Sequence, residues 1–257
     1  MNLTFNFKRV YVWELPVRLF HWLTVLAMIV LIITGFIIAN PPNVSSTLEP
    51  TNLGWFALVR KLHFVFAYVL IANVIFRLYW SLVGNRFASW RNFIPYTKKG
   101  LNNIIYVLKV DILLMKDREH KLSNISIGHN YFASLSYAVM MIFFILQSIT
   151  GFALYSNTST WWFPKMFGWI SEASGDITLR YIHHILIWIF LAFIVIHVYL
   201  VIYHDYLEAR GEASAMISGY KYVRSERVHS SEEEVIAEAT EQMWSGDTNG
   251  NDAESEK

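Results

Sequence analysis

The chain of 257 residues contains no cysteine. It therefore forms no disulfide, no thiolate metal site and no iron–sulfur cluster of its own, and it lacks the Cys-x-x-Cys-His attachment of a c-type haem. Any haem here must be non-covalent, held by His or Met. Charge is scarce as well. Charged residues make up 16% of the chain and the formal balance is +1, so no bulk field points to nucleic acid as a partner. No cleavable leader is evident. The basic N-terminal region runs into an apolar stretch long enough to span a bilayer, with no small-residue cleavage site. What fills the chain instead is apolar (54%) and aromatic (16%), with a mean hydropathy of +0.34. That is too apolar for an ordinary soluble domain of this size.

Four stretches of about 20 apolar residues have the length a spanning helix needs. They cover residues 17–39, 55 or 62 to 83, 131–155 and 181–203. None contains Asp or Glu. The expected fold is an all-α integral membrane protein, a bundle of four transmembrane helices over residues 1–228. Trp and Tyr mark the ends of the runs (Trp13, Trp22, Trp55, Trp80, Tyr131, Tyr155, Trp161, Trp162, Tyr203), as in interfacial belts. Basic residues concentrate in the N-terminal segment (Lys8, Arg9, Arg18), in the connection between the second and third spans, and after the fourth. The positive-inside rule then puts both termini in the cytoplasm.

Four histidines sit at opposite ends of these runs. His183 and His197 are 14 residues apart, a rise of about 21 Å with almost no net rotation, so they share one helix face near the two sides of a core about 30 Å thick. In the expected topology His63 lies at the outer depth with His183, and His21 at the inner depth with His197. Ligating side chains at membrane depth are expensive and usually functional. Any one of these histidines also fits a hydrogen-bonded packing residue. Two level pairs, each drawn from different helices, suit two bis-histidine b haems stacked across the bilayer. His184 competes with His183, but its 13-residue spacing to His197 turns it about 140° off the shared face.

Other residues complete the picture. Haem propionates need cations: Arg18, Arg60, Lys61 and Arg180 each precede one of the four histidines, and Arg77 stands at the inner end of the second span. Interfacial snorkelling also explains them, and explains Lys61 and Arg180 better than a propionate role. Ile33-Thr34-Gly35-Phe36 and Ile149-Thr150-Gly151-Phe152 repeat one pattern at the outer depth, with each glycine allowing close approach of a helix or a flat porphyrin. His129, just before the third span, suits a quinone contact or proton donor, or else a helix-start residue. His204 with Asp205 is a weaker candidate, and His120 and His229 read as solvated. Ile104, Ile105, Leu108, Ile112 and Met115 recur at helical spacing, as in an amphipathic helix on the cytoplasmic surface or against the bundle's inner face. Residues 229–257 form an acidic tail expected to be disordered.

Several segments carry a family resemblance. They are Trp13-Glu14-Leu15-Pro16-Val17-Arg18-Leu19-Phe20-His21-Trp22, Arg77-Leu78-Tyr79-Trp80, Val83-Gly84-Asn85-Arg86, Gly128-His129-Asn130, Thr150-Gly151-Phe152-Ala153-Leu154-Tyr155 and Ile196-His197-Val198-Tyr199. In combination, over about residues 10–225, the chain resembles the cytochrome b subunit of membrane-bound nickel–iron hydrogenases. The resemblance implies a di-haem protein of the bacterial-type inner membrane. It would take electrons from the iron–sulfur small subunit on the periplasmic side and pass them to quinone, without itself breaking the H–H bond of H₂. It also implies haem ligation by His21, His63, His183 and His197, agreeing with the spacing. The membrane subunit of formate dehydrogenases is a related alternative. A histidine-based metal-ion transporter is a reading of another class, weakened by the lack of intramembrane carboxylates.

Overall fold

The computed structural model describes residues 7–41, 54–90, 102, 104–105, 131–208 and 211–224. His129, most of the 104–116 stretch, His120, His229 and the acidic tail lie outside them. The element order is β1 (Phe7–Tyr11), α1 (Leu15–Ala39), α2 (Gly54–Val83), α3 (Tyr131–Ser156), α4 (Trp162–Lys165), α5 (Gly168–Ser174), α6 (Asp176–Glu208), α7 (Glu212–Ser218) and β2 (Tyr220–Arg224). The helices α1, α2, α3 and α6 are long and apolar enough to cross a membrane.

Local chemistry fixes their ends. Helix α1 starts with Pro16 in its first turn, where the missing N–H is no loss. It stops at Asn40, ahead of Pro41 and Pro42. Helix α6 runs for 33 residues, five beyond each end of the apolar run expected from hydropathy. At 1.5 Å per residue it measures roughly 50 Å, well over the hydrocarbon thickness. The extra turns carry polar residues (Asp176, Arg180, Asp205), which hydropathy rejects but a helix emerging into water accepts.

Side chains point outward along lines of helical spacing. On α1, Leu26, Ile29 and Ile33 are exposed, and on α6 Ile177, Tyr181, Ile185, Trp188, Val195, Tyr199 and Ile202 form one exposed stripe. These faces suit lipid, whose tails are as apolar as the side chains themselves. Helix α1 packs along α2, α2 along α3, and α3 along α6. Between them lies a mid-depth core of Ala27, Met28, Leu70, Met140, Leu186 and Phe190. Phe144 and Phe190 stack there with ring centroids 4.9 Å apart. Asn73, buried on α2, donates to the Phe20 carbonyl and to Thr24 Oγ1, each at 2.9 Å, tying α2 to α1.

One end of the bundle is closed by a feature the helical patterns did not anticipate. Strands β1 and β2 pair antiparallel, Phe7 opposite Arg224 and Tyr11 opposite Tyr220, adding a two-stranded sheet to an otherwise helical chain. Both segments mix aromatic and branched residues, which favour strands, with basic ones. Beneath the sheet, Trp13 is buried against Val12, Val17, Ala88 and Ala215. Lys221, also buried, pairs with Glu212 at 2.6 Å and lies 5.4 Å from the centre of the Trp13 ring. Glu14 accepts from Trp80 Nε1 and from the Asn85 N–H, each at 2.9 Å. Asn85 in turn donates to the Val12 carbonyl at 3.0 Å. Gly219 takes φ of +87°, and its carbonyl receives the N–H groups of Val12 and Trp13.

Glu14 is therefore the acceptor that joins the start of α1 to the end of α2. Glu14→Ala strands two donors at once and is expected to destabilise the detergent-solubilised protein by about 1–3 kcal/mol. Glu14→Gln keeps an acceptor oxygen and should lose less, which thermal unfolding of the two variants measures directly.

Candidate functional site

The four histidines fall at two levels, and each level draws on two helices. At the end remote from the sheet, His63 of α2 and His183 of α6 line one cavity of about 750 Å³. That is large enough for a cofactor-sized ligand. Its walls are apolar, with Met28, Leu31, Phe64, Phe152, Ile187 and Phe190 among them. Arg60, Arg180 and Tyr155 also line it, and both arginines are exposed, so the cavity reaches the surface at this end.

The repeated Ile-Thr-Gly-Phe segments meet these two histidines. Thr34 Oγ1 lies 2.9 Å from His63 Nδ1, and Thr150 Oγ1 lies 2.9 Å from His183 Nδ1. Each hydroxyl also faces carbonyls one turn back in its own helix. Thr34 reaches Val30 at 2.6 Å and Leu31 at 3.3 Å, and Thr150 reaches Leu146 and Gln147 at 3.0 Å. The neighbouring glycines make room. A Cβ on Gly35 would meet His63 Cε1 at 3.4 Å, and one on Gly151 would meet His183 Cε1 at 3.0 Å. The sequence pattern exposed the glycines; the threonines went uncredited, although they share the same repeat. Gln147, also unnoticed, donates its amide to His183 Nε2 and to the His183 carbonyl, each at 3.2 Å.

His184 lines the same cavity, but its ring packs edge-on against Phe36 at 5.6 Å. The contacts with α3 thus belong to His183, the residue preferred by the 14-residue spacing.

At the sheet end, His21 of α1 and His197 of α6 bring their ring centroids to 6.5 Å, tilted by 54°. Phe193 stacks on His197 at 5.5 Å, and Tyr137 meets it edge-on at 5.9 Å. Nδ1 of His21 is buried without a hydrogen-bond partner. Such an orphan is uncommon and calls for an explanation.

The two arginines expected near this level have protein partners. Arg77 is buried and donates through both terminal nitrogens to the Ala88 carbonyl, each at 3.2 Å, while its guanidinium lies 5.9 Å from the Phe20 ring centre. Arg18 donates to the Ile217 carbonyl and keeps a buried Nε with no partner. Conversely, Arg60 and Arg180 border the cavity that holds His63 and His183. The side chain of His204 lies outside the described residues. Among the described residues no group of three or more His, Asp and Glu comes together, so paired imidazoles are the donor sets available.

Comparison with known proteins places this geometry in context. The family model described as prokaryotic cytochrome b561 matches residues 12–219. The chain is 31% identical over 223 residues to the probable Ni/Fe-hydrogenase B-type cytochrome subunit of Cupriavidus necator, covering 84% of this chain and 88% of that one. It is 34% identical over 223 residues to the probable Ni/Fe-hydrogenase 1 B-type cytochrome subunit of Escherichia coli K12, covering 82% and 90%. With the Rhodobacter capsulatus B-type cytochrome subunit it shares 30% over 227 residues, 85% and 84% of the two chains.

The two glycines differ in how tightly they hold their histidines. Gly151→Ala must push His183 aside from 3.0 Å, whereas Gly35→Ala meets His63 at a nearly ordinary distance. Disturbing the support of a ligand typically lowers affinity on the order of tenfold or more. Gly151→Ala is expected to deplete the haem signal in reduced-minus-oxidised spectra of membranes, and Gly35→Ala to leave most of it.

Proposed function

This chain belongs to the prokaryotic cytochrome b561 family, and on that premise we propose that it is the membrane electron-transfer subunit of a Ni/Fe hydrogenase, passing electrons to quinone. Membership implies b-type haem, which when bound supplies reversible one-electron steps within the hydrocarbon thickness of about 30 Å. The residues present fit that group. His63 and His183 would hold it at the cavity end, where Gly35 and Gly151 leave the space that a Cβ would fill. His21 and His197 would hold it at the sheet end, where the facing rings and the orphaned His21 nitrogen form a site of the right donor chemistry. The observation that carries the reading is that each level holds two histidines from two helices, with α6 contributing to both.

Other residues take supporting roles. Arg60 and Arg180 border the cavity, and their planar donors suit the carboxylates of a porphyrin. Arg18 and Arg77 serve the same purpose at the sheet end. Arg18 is the better placed, because its Nε has no protein partner. The Gln147 amide stands at His183 Nε2, where a metal would bind, and a neutral side chain can give way there. His129 acts as proton donor to quinone, whose reduction consumes protons.

The basic N-terminal and late segments put the sheet end at the cytoplasmic face, with both termini inside. The cavity end then faces the periplasm and receives the iron–sulfur small subunit. Trp161, Trp162, Met166 and Trp169 are half or more exposed on and beside α4 and α5 at that end. Exposed aromatic residues of this kind supply interface anchors.

Haem content and difference spectra of the purified complex test the ligand assignment. The complex should contain two haems per chain. His63→Ala and His183→Ala should each fall to one, and His184→Ala should keep both. Full retention in either of the first two variants would break the pairing.

The docking reading has its own test. Replacing Trp161 and Trp162 with Ala should release the hydrogenase from membranes and stop hydrogen-driven haem reduction while both haems remain. Normal retention of the hydrogenase in that double variant would move the docking surface elsewhere.

A further inference from the structure

The contacts of Thr34 and Thr150 determine which nitrogen of each facing histidine carries the proton. A threonine hydroxyl has one hydrogen. The carbonyl of Val30 has none, so the 2.6 Å separation from Thr34 Oγ1 requires the threonine proton between them. The same oxygen lies 2.9 Å from His63 Nδ1 and can then only accept. The proton in that contact must come from the imidazole. Thr150 repeats the arrangement. Its hydroxyl donates to the Leu146 and Gln147 carbonyls at 3.0 Å, and accepts from His183 Nδ1 at 2.9 Å. Both contacts are half-buried between helices, where these protein groups are the partners at hand.

We propose that Thr34 and Thr150 are paired positioning residues that hold His63 and His183 as Nδ1–H tautomers with Nε2 available to iron, and that they lower the reduction potential at the cavity end. The proposal rests on the reading that His63 and His183 are ligands. A hydrogen bond from Nδ1–H makes an imidazole a stronger donor to metal, which favours the more oxidised iron. Two such bonds act on one site, one from each side. Helices α1 and α3 supply them through the same four-residue pattern, which gives the repeat a chemical purpose beyond close packing. The sheet end differs, because Nδ1 of His21 has no partner. The haem held there is therefore an internal reference, since it shares the chain but lacks a bond of this kind at His21.

The test uses the full membrane complex with Thr34→Val and Thr150→Val, which keep shape but remove the acceptor, and Thr34→Ser and Thr150→Ser, which keep it. Haem content and potentiometric titration of the b-type absorption band are the readouts. The band missing from His183→Ala identifies the cavity-end haem. The valine variants should raise the potential of that haem, or lose it, while the sheet-end haem titrates as in the parent. The serine variants should titrate like the parent. Valine variants with both haems at parental potentials would overturn the proposal. So would serine variants that behave like the valine ones, because the methyl group rather than the hydroxyl would then be responsible. If His63→Ala and His183→Ala each kept two haems, the ligand reading itself would fall and this proposal with it.

Discussion

A neutral imidazole has one donor and one acceptor nitrogen, and inside a bilayer no water completes either of them. The four histidines that face one another across the helices meet that constraint in two ways. At the cavity end, protein groups occupy Nδ1 of both histidines, and an amide stands at Nε2 of His183. At the sheet end, the chain leaves Nδ1 of His21 orphaned and surrounds the His21–His197 pair with aromatic rings instead. The two levels carry the same side chain in different surroundings, and surroundings are the main lever a protein has on iron of fixed ligation.

The two ends of the bundle are built on opposite terms. The sheet end is tied by polar contacts: Glu14 reaches Trp80 and Asn85 far along the chain, and Arg77 with Ala88 and Lys221 with Glu212 fix the turns nearby. The cavity end holds open volume, two exposed arginines and a rim of tryptophans. A stiff end and an open end suit a subunit that must keep its helices in register while presenting one face to another protein.

Much of this was legible beforehand, for identifiable reasons. Long apolar runs without carboxylates can only be satisfied as spanning helices, so α1, α2, α3 and α6 were readable from composition and length. The 14-residue spacing of His183 and His197 gave the two depths, because helical geometry is rigid. Other features depend on pairing across the chain, which no local pattern encodes. The β1–β2 sheet was obscured by the basic residues that also set topology. Arg77 reads from the sequence as a partner for an anionic ligand, and the structure adds a bond to the backbone carbonyl of Ala88. That contact depends on how residues 84–90 turn after α2. Thr34 and Thr150 stood in plain view within the repeat, but their partners lie on other helices. The extra turns of α6 escaped notice because hydropathy measures lipid preference and not helix length.

The sheet that joins the two ends of the spanning region also sets an order of events during biosynthesis. Trp13 leaves the ribosome some two hundred residues before Ala215 and Lys221, against which it is buried. Until then α1, α2 and α3 can insert, but the sheet end stays unlatched, and His21 of α1 lacks the His197 ring that faces it. Closure of the sheet end therefore waits on the synthesis of α6, α7 and β2.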